Sequence, residues 1–373
     1  MFEKEVLVDP KEYVRIDHKL LRFWVTEIFV SLGLRSEDAE VISDVLVTAD
    51  LMGISSHGVQ RVKRYVDGIK VGAVNPKPEI KVVERGATAL VDGDNGLGHP
   101  TSVKAMALAI AKAESYGIGI SLVRRSHHFG IAGYYALKAV DKGFIGVSMT
   151  NSEALVSYVN SLGRFLGTNP LAVAVPTPTP PPILFDAATS IVPVGKVEIY
   201  AKLGREIPEG WVIDSEGNYL KGNASEVLKA IKNHRASILP LGGLGEEFGG
   251  HKGSGLSLVI DIISGILSGA AWGPHVGYTT VKEANVGHAF IALNIEFFMD
   301  KNTFYERISK YIKEIKELKK HPKAYKVWIP GEKSWLTMET RKKLGIPIHK
   351  NVLKELIEIS KEQHLEIPLS LDL

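Results

Sequence analysis

Residues 176–182 read Pro176-Thr177-Pro178-Thr179-Pro180-Pro181-Pro182, and neither a helix nor a central strand can accommodate them. Proline fixes φ and has no backbone N–H, so three in succession force an extended loop. The loop separates two apolar, β-branched runs, 171–175 and 183–185, that read as strands. Similar runs at 87–91, 119–123, 144–149 and 289–298 alternate with helical stretches at 102–115 and 133–141. That alternation predicts an α/β core. The two ends of the chain read as helical. The first seventy residues include an apolar-rich stretch at 13–30 (Leu20, Leu21, Phe23, Trp24, Ile28, Phe29). Ser36 before Glu37 and Asp38 marks a helix start, and Ser55 or Ser56 offers a cap for the next helix. Near the other end, Phe304, Ile308, Ile312, Ile315 and Leu318 follow the period of an amphipathic helix. No internal repeat is evident, and no linker cleanly divides the chain.

With 373 residues, 45% of them hydrophobic, the chain can bury a large core in two or three domains. A formal charge of +3, from 45 basic and 42 acidic residues, argues against a nucleic-acid or anionic-membrane partner. The chain has no cysteine, which excludes disulfides, a thiol nucleophile and thiolate metal sites. Together with an N-terminus that lacks an apolar signal core, this predicts a cytoplasmic protein. Residues 255–271 are almost continuously apolar but include Asp261 and fall short of about 20 residues. They are expected to form a buried helix, packed closely through Ser264, Gly265, Ser268 and Gly269, not a membrane span.

Two short motifs carry chemistry. Ser56-His57-Gly58 is followed by Arg61 and Tyr65; on one helix His57, Arg61 and Tyr65 would share a face. Arginine binds a carboxylate bidentately, histidine adds a hydrogen bond and tyrosine closes the side, a clamp for a small carboxylate substrate. Ser126-His127-His128-Phe129-Gly130 places imidazoles between a strand and a helix, where they suit acid/base work. Each residue also has a structural reading: a hydrogen-bonded core histidine, a loop-orienting His127, an ion-paired Arg61, a Tyr65 in the core. A hydrolytic zinc site built from His57, His127 and His128 lacks a His-Glu-x-x-His motif and gives Arg61 no role, so no metal is expected. A non-catalytic nucleotide-binding protein would leave clamp and acid/base group without a purpose.

No Gly-x-Gly reaches the third glycine of a dinucleotide fingerprint: the series starting at Gly96, Gly117, Gly243 and Gly253 end at Thr101, Leu122, Phe248 and Leu258. Gly195-Lys196 is followed by Val197 and is not a Walker loop. Gly249-Gly250-His251-Lys252-Gly253-Ser254-Gly255 remains. Its glycines expose backbone N–H groups at a helix start and Lys252 adds a cation, as a pyrophosphate cradle requires.

In combination and in this order, over nearly the full length, the motifs resemble the malate/L-lactate dehydrogenase type-2 family. These nicotinamide-dependent oxidoreductases also include ureidoglycolate, sulfolactate and Δ1-piperideine-2-carboxylate enzymes. The resemblance rests on Ser56-His57-Gly58 with Arg61, Asp92-Gly93 with Gly98, Ser126 to Gly130, Thr150-Asn151-Ser152, Gly167-Thr168-Asn169-Pro170, Asp186-Ala187-Ala188-Thr189-Ser190, Lys252 to Leu256, and Pro330-Gly331-Glu332. It implies a non-Rossmann α/β fold: a central mixed-sheet, cofactor-binding domain over 76–299, and a helical domain built from 1–75 and 300–373. It also implies a homodimer or higher homo-oligomer that uses NAD or NADP to transfer hydride to and from a small 2-hydroxy/2-oxo acid. Malate/oxaloacetate is the leading pair; lactate, sulfolactate, ureidoglycolate and a cyclic imino acid are the alternatives. Carried over by residue, the family pattern makes His128 the catalytic acid/base. Ser56, His57, Arg61 and Tyr65 would bind substrate. Ser152, Asp186, Ala187, Ala188, Lys252, Pro330, Gly331 and Glu332 would bind cofactor. Ala187 departs from the pattern, which has a bulkier apolar residue there.

Overall fold

The computed structural model describes residues 8–9, 11–278 and 283–368. Its strands are β1 (Tyr13–Ile16), β2 (Lys81–Arg85), β3 (Thr88–Asp92), β4 (Ile118–Ser126), β5 (Ile145–Thr150), β6 (Leu171–Val175), β7 (Ile183–Ala187), β8 (Glu206–Asp214), β9 (Tyr219–Asn223), β10 (Ala236–Ile238), β11 (Val286–Leu293) and β12 (Ile346–His349). The helices are α1 (His18–Ser31), α2 (Ser36–Leu51), α3 (Val62–Lys70), α4 (Gly98–Tyr116), α5 (Ala132–Val140), α6 (Val194–Lys202), α7 (Ala224–Lys232), α8 (Gly250–Asp261), α9 (Lys301–Glu317), α10 (Glu332–Leu344) and α11 (Lys350–Glu362).

A seven-stranded sheet in the order β2-β3-β4-β11-β5-β6-β7 forms the centre. It is mixed, because β3 and β4 run parallel and the other neighbours antiparallel. Two helices lie against it at very short range, and glycine in the strands makes this possible. A Cβ on Gly119 of β4 would fall 1.9 Å from the Ala109 carbonyl of α4, and one on Gly146 of β5 would fall 2.1 Å from the Ala136 carbonyl of α5. Small residues on the helices complete the contact: Ala105, Ala109, Ala136 and Ala139 are all fully buried. This packing fixes the β4–α5 junction, where His127 and His128 sit.

A separate hydrophobic core is built from both ends of the chain. Leu21, Trp24, Ile28 and Phe29 of α1 and Leu46 of α2 pack with Leu353, Leu356 and Ile359 of α11, and the indole N–H of Trp24 donates to the Ser360 hydroxyl at 2.8 Å. A third core, around Val197, Val212, Val227 and Ile238, lies beneath the three-stranded sheet β10-β8-β9.

Several sequence expectations are corrected. Residues 13–16 form a strand paired with β12, not the start of a helix, and the Asp17 carboxylate then caps α1 by accepting the Lys19 and Leu20 N–H groups. Neither Ser55 nor Ser56 caps a helix, since two 3-10 turns (Ser55–His57 and Val59–Arg61) intervene before α3. The strand expected at 289–298 runs from Val286 to Leu293 and stops where Asn294 caps a 3-10 turn. The apolar segment 255–271 is buried on one face only, through Ser257, Ile260, Ser264, Gly265 and Ser268. It leaves α8 through a π turn at Ile262–Ile266, packs Ile260 on Met149 and Ala289, and leaves Val259, Ile266 and Leu267 50–66% exposed. Only one face of it meets the sheet. No described helix is long and apolar enough to cross a membrane.

Candidate active site

β4 ends at Ser126 and α5 begins at Ala132, so the backbone turns through His127–Ile131 at the end of a central strand. The floor beneath this turn is rigid. His288 of β11 stacks on Phe129 with centroids 4.6 Å apart and planes 3° from parallel. Its two ring nitrogens lie 2.7 Å from the Thr150 hydroxyl and 2.9 Å from that of Ser126. His127 is fully buried, and burial takes its pKa down to about 4. It does not line the cavity above; His128 does.

His128 presents Nδ1 inward, 2.6 Å from the Tyr65 hydroxyl and 3.2 Å from the Gly130 N–H, which donates to it. A backbone N–H can only donate, so the resting ring accepts at Nδ1 and carries its proton on Nε2. Burial, then Arg64, His57 and Arg61, push the pKa of His128 well below 6.5. The His57 ring stacks on it at 5.5 Å. His57 is bonded through Nδ1 to the Ser56 hydroxyl at 2.9 Å, and burial lowers its pKa to about 3.

The clamp is assembled differently from the single helix face expected. His57 and Arg61 lie on successive 3-10 turns, and only Tyr65 belongs to α3. His57 and Arg61 still reach one small cavity, of about 60 Å³, with His128. Tyr65 is fully buried behind His128 and is not part of the cavity wall; it is placed to hold the imidazole. Ser56 lines a different cleft, of about 480 Å³, while its carbonyl accepts the Arg61 Nε–H at 2.6 Å. Arg61 also donates from Nη2 to Glu198 of α6 at 2.9 Å. Burial works to raise the Glu198 pKa, but Arg61, Lys232 and Arg64 outweigh it and hold the carboxyl below its usual range.

Sequence reasoning missed Arg64, which lines the same cavity, although its i+3 spacing from Arg61 was a readable signal. It also missed Asp50 and His288, which no motif marks. Asp50 of α2 is buried, and burial lifts its carboxyl to about 7. It accepts the Val59 N–H at 2.8 Å and so anchors the start of the 3-10 turn that carries Arg61. Gly58 has to be glycine here, because a Cβ would fall 2.2 Å from the Asp50 carboxyl atoms. Gly58→Ala is expected to destabilise the protein by roughly 1–3 kcal/mol through overpacking and to raise KM for the acid more than for the cofactor. Thermal melts and initial rates check this.

The cofactor candidates follow a track along residues 184–189. At one end, the Leu184 N–H donates to the Pro330 carbonyl at 3.0 Å, and Gly331 packs so closely that a Cβ would meet Leu184 at 2.9 Å. Glu332 accepts from Lys316 and from the Ile329 N–H, so its carboxylate ties this turn together. Next, Asp186 accepts the Gly133 N–H at 2.7 Å, occupying the N-terminus of α5 with the protein's own carboxylate; burial raises it to about 6. Ala187 and Ala188 are half-buried. Thr189 then donates to the Thr168 carbonyl, and the Thr168 N–H donates to the Ser152 hydroxyl at 3.1 Å. Ser152 lines the cavity of His128. Lys252 stands apart, exposed in the first turn of α8 above Gly249, whose φ is +89°. That helix start is joined to the track where the Leu241 N–H donates to Thr189, because Gly253 packs on Leu241. The small half-buried side chains of Ala187 and Ala188 and the exposed Lys252 cation are the features of these segments that could serve a dinucleotide. Among the described residues no group of three or more His, Asp or Glu side chains is arranged to hold a metal ion.

Comparison with known proteins finds matches over nearly the whole chain. A family model described as Malate/L-lactate dehydrogenase matches residues 16–357. A malate dehydrogenase of Pyrococcus horikoshii is 50% identical over 98% of this chain and 99% of its own length. An L-sulfolactate dehydrogenase of Methanocaldococcus jannaschii is 37% identical over 92% and 95%. The crystal structure of malate dehydrogenase from Entamoeba histolytica superposes with a TM-score of 0.92, at 34% identity, covering 96% of this chain and 100% of that one.

Proposed function

The chain belongs to the malate/L-lactate dehydrogenase family and is a dehydrogenase, and from that premise we propose that it interconverts (S)-malate and oxaloacetate with NAD or NADP. One observation carries the reading: a single cavity brings the His128 imidazole together with the guanidinium groups of Arg61 and Arg64. A nicotinamide cofactor supplies or accepts the hydride when bound. Ser152, the 186–188 segment, Lys252 and Pro330-Gly331 are the residues proposed to hold it.

Arg61 has N–H donors beyond the two used by Ser56 and Glu198, and these receive the carboxylate next to the reacting carbon. His128 points Nε2–H at the 2-oxo oxygen and gives it a proton as that oxygen gains charge; in oxidation the same nitrogen takes the hydroxyl proton. The Tyr65 hydroxyl can donate to or accept from Nδ1, so it serves both proton states of the ring. A bound carboxylate also offsets the two arginines that disfavour imidazolium, which lets His128 take up its proton once substrate is present.

This sets the sign of the pH dependence. Oxidation needs neutral His128, whose pKa in the free site lies well below 6.5. The kcat/KM for malate oxidation is therefore expected to stay level from neutral pH down past 6.5 and to fall only at more acid pH. An acid limb centred near 7 would count against His128 as the base. The reaction itself is tested by following absorbance of NADH and NADPH with oxaloacetate, pyruvate, sulfopyruvate and a cyclic imino acid. Preference for oxaloacetate is the expected result, and failure with all four sinks the substrate assignment.

The proposal includes a cytoplasmic homodimer or higher homo-oligomer. The lack of cysteine supports a reducing compartment. The apolar face of α8 and its continuation, with Val259, Ile262, Ile266 and Leu267 exposed, supports self-association. Light scattering is expected to give a mass that is a multiple of 40.8 kDa.

A further inference from the structure

We propose that Arg64 is the specificity-determining cation of this site, receiving the anionic group at the far end of the substrate, carboxylate or sulfonate, while Arg61 holds the carboxylate beside the reacting carbon. This rests on the dehydrogenase reading above and adds to it the reason a four-carbon diacid is preferred to lactate.

Both guanidinium groups line the cavity that contains His128 and His57. A larger cleft of about 650 Å³ adjoins it, and Arg61, Arg64 and Glu153 line both. Arg61 is fixed by the 2.6 Å bond to Ser56 and the 2.9 Å bond to Glu198. Arg64 meets Glu153 at 3.5 Å, the outer limit of a hydrogen bond, and lies over the Tyr278 ring at 4.5 Å. The ring contact is a cation–π contact, and the long contact to Glu153 is one that a substrate anion can replace.

The selectivity follows from burial. The Arg64 side chain is only 13% exposed. A 2-oxo acid ending in a methyl group would press an apolar surface on this buried cation and strip its remaining water without replacing it. A distal carboxylate or sulfonate supplies a charge-assisted bond instead. Sites built to bond a polar group reject analogues that lack it far more strongly than apolar pockets reject a missing methylene.

The test is the ratio of kcat/KM for oxaloacetate to that for pyruvate, measured for wild type, Arg64→Gln and Arg64→Lys at saturating cofactor. Arg64→Gln should lower the ratio by about 100-fold, with Arg64→Lys between the two. Sulfopyruvate should follow oxaloacetate. If both substrates lose the same factor in Arg64→Gln, or neither does, Arg64 does not read the distal group. Should Arg64→Gln fail to fold, Glu153→Gln decides instead: loosening the competing carboxylate is expected to raise the ratio about threefold, and an unchanged or lower ratio overturns the proposal. Wild-type enzyme that reduces no 2-oxo acid with either cofactor overturns the substrate reading itself. Wild-type enzyme that reduces oxaloacetate with a ratio insensitive to residue 64 overturns only the role of Arg64.

Discussion

His128→Ala is expected to lower kcat by about 10²–10⁴-fold, the range found for loss of a positioned acid/base group, while leaving cofactor affinity within a few fold. No neighbour is equipped to take over. His57 stacks on His128 at 5.5 Å, but burial keeps it neutral, with a pKa of about 3, and its Nδ1 is committed to Ser56. Tyr65 is fully buried, and burial raises its pKa above the usual 10, so it resists giving up its proton outright. The alanine variant also leaves the Tyr65 hydroxyl without the imidazole inside the core, which costs roughly 1–3 kcal/mol of stability. His128→Asn separates the two effects, since an amide can still bond the phenol but cannot move a proton. Melting temperature should recover in the asparagine variant and kcat should not. If either variant keeps kcat within tenfold of wild type, His128 is not the acid/base.

The parts of the fold legible in the sequence are those set by local pattern. The β-branched runs of β5 and β6 and the period of α9 follow from side-chain alternation, and the proline run ends β6 where the structure ends it, at Val175. What was not legible depends on long-range pairing. β1 is a strand because β12, more than 300 residues away, completes its ladder, and nothing local to Tyr13–Ile16 reveals that partner. The exposure of the apolar segment 255–271 was equally hidden, because hydropathy records what a residue prefers and not whether a single chain can cover it. In the candidate site, the motifs named His57, Arg61 and His128 because each belongs to a short pattern that reaches the cavity. Tyr65 was read from spacing as a wall of the pocket, and the structure puts it one layer behind. Asp50 and His288 support the motifs from other elements, Asp50 beneath Gly58 and His288 beneath Phe129. Such supporting groups carry no motif because their role is defined by contact across the fold.

Arg61→Leu is expected to reduce kcat/KM for a 2-oxo acid by about 10³-fold, mainly through KM, because three arrangements depend on one side chain. The first is the bidentate seat for the carboxylate. The second is the Nε–H bond to the Ser56 carbonyl at 2.6 Å, which holds the turn that carries His57. The third is the charge balance of Glu198, whose carboxylate is 23% exposed against 10% for Arg61. Without the arginine, Glu198 loses its direct ion-pair partner and keeps only Lys232 and Arg64 as compensating charges; it lines the cleft that adjoins the cavity, and its charge works against the substrate that the arginine attracted. Breaking a largely buried ion pair from one side also costs stability, about 3 kcal/mol at this degree of exposure. A second variant isolates the catalytic share. In Arg61→Leu with Glu198→Gln, the stranded charge is gone, so stability and part of KM should return, whereas the carboxylate seat is still missing. The paired variant is therefore expected to melt close to wild type yet to remain at least tenfold impaired in kcat/KM. If it regains wild-type kcat/KM, Arg61 serves only to neutralise Glu198, and the substrate carboxylate is held elsewhere in the cavity.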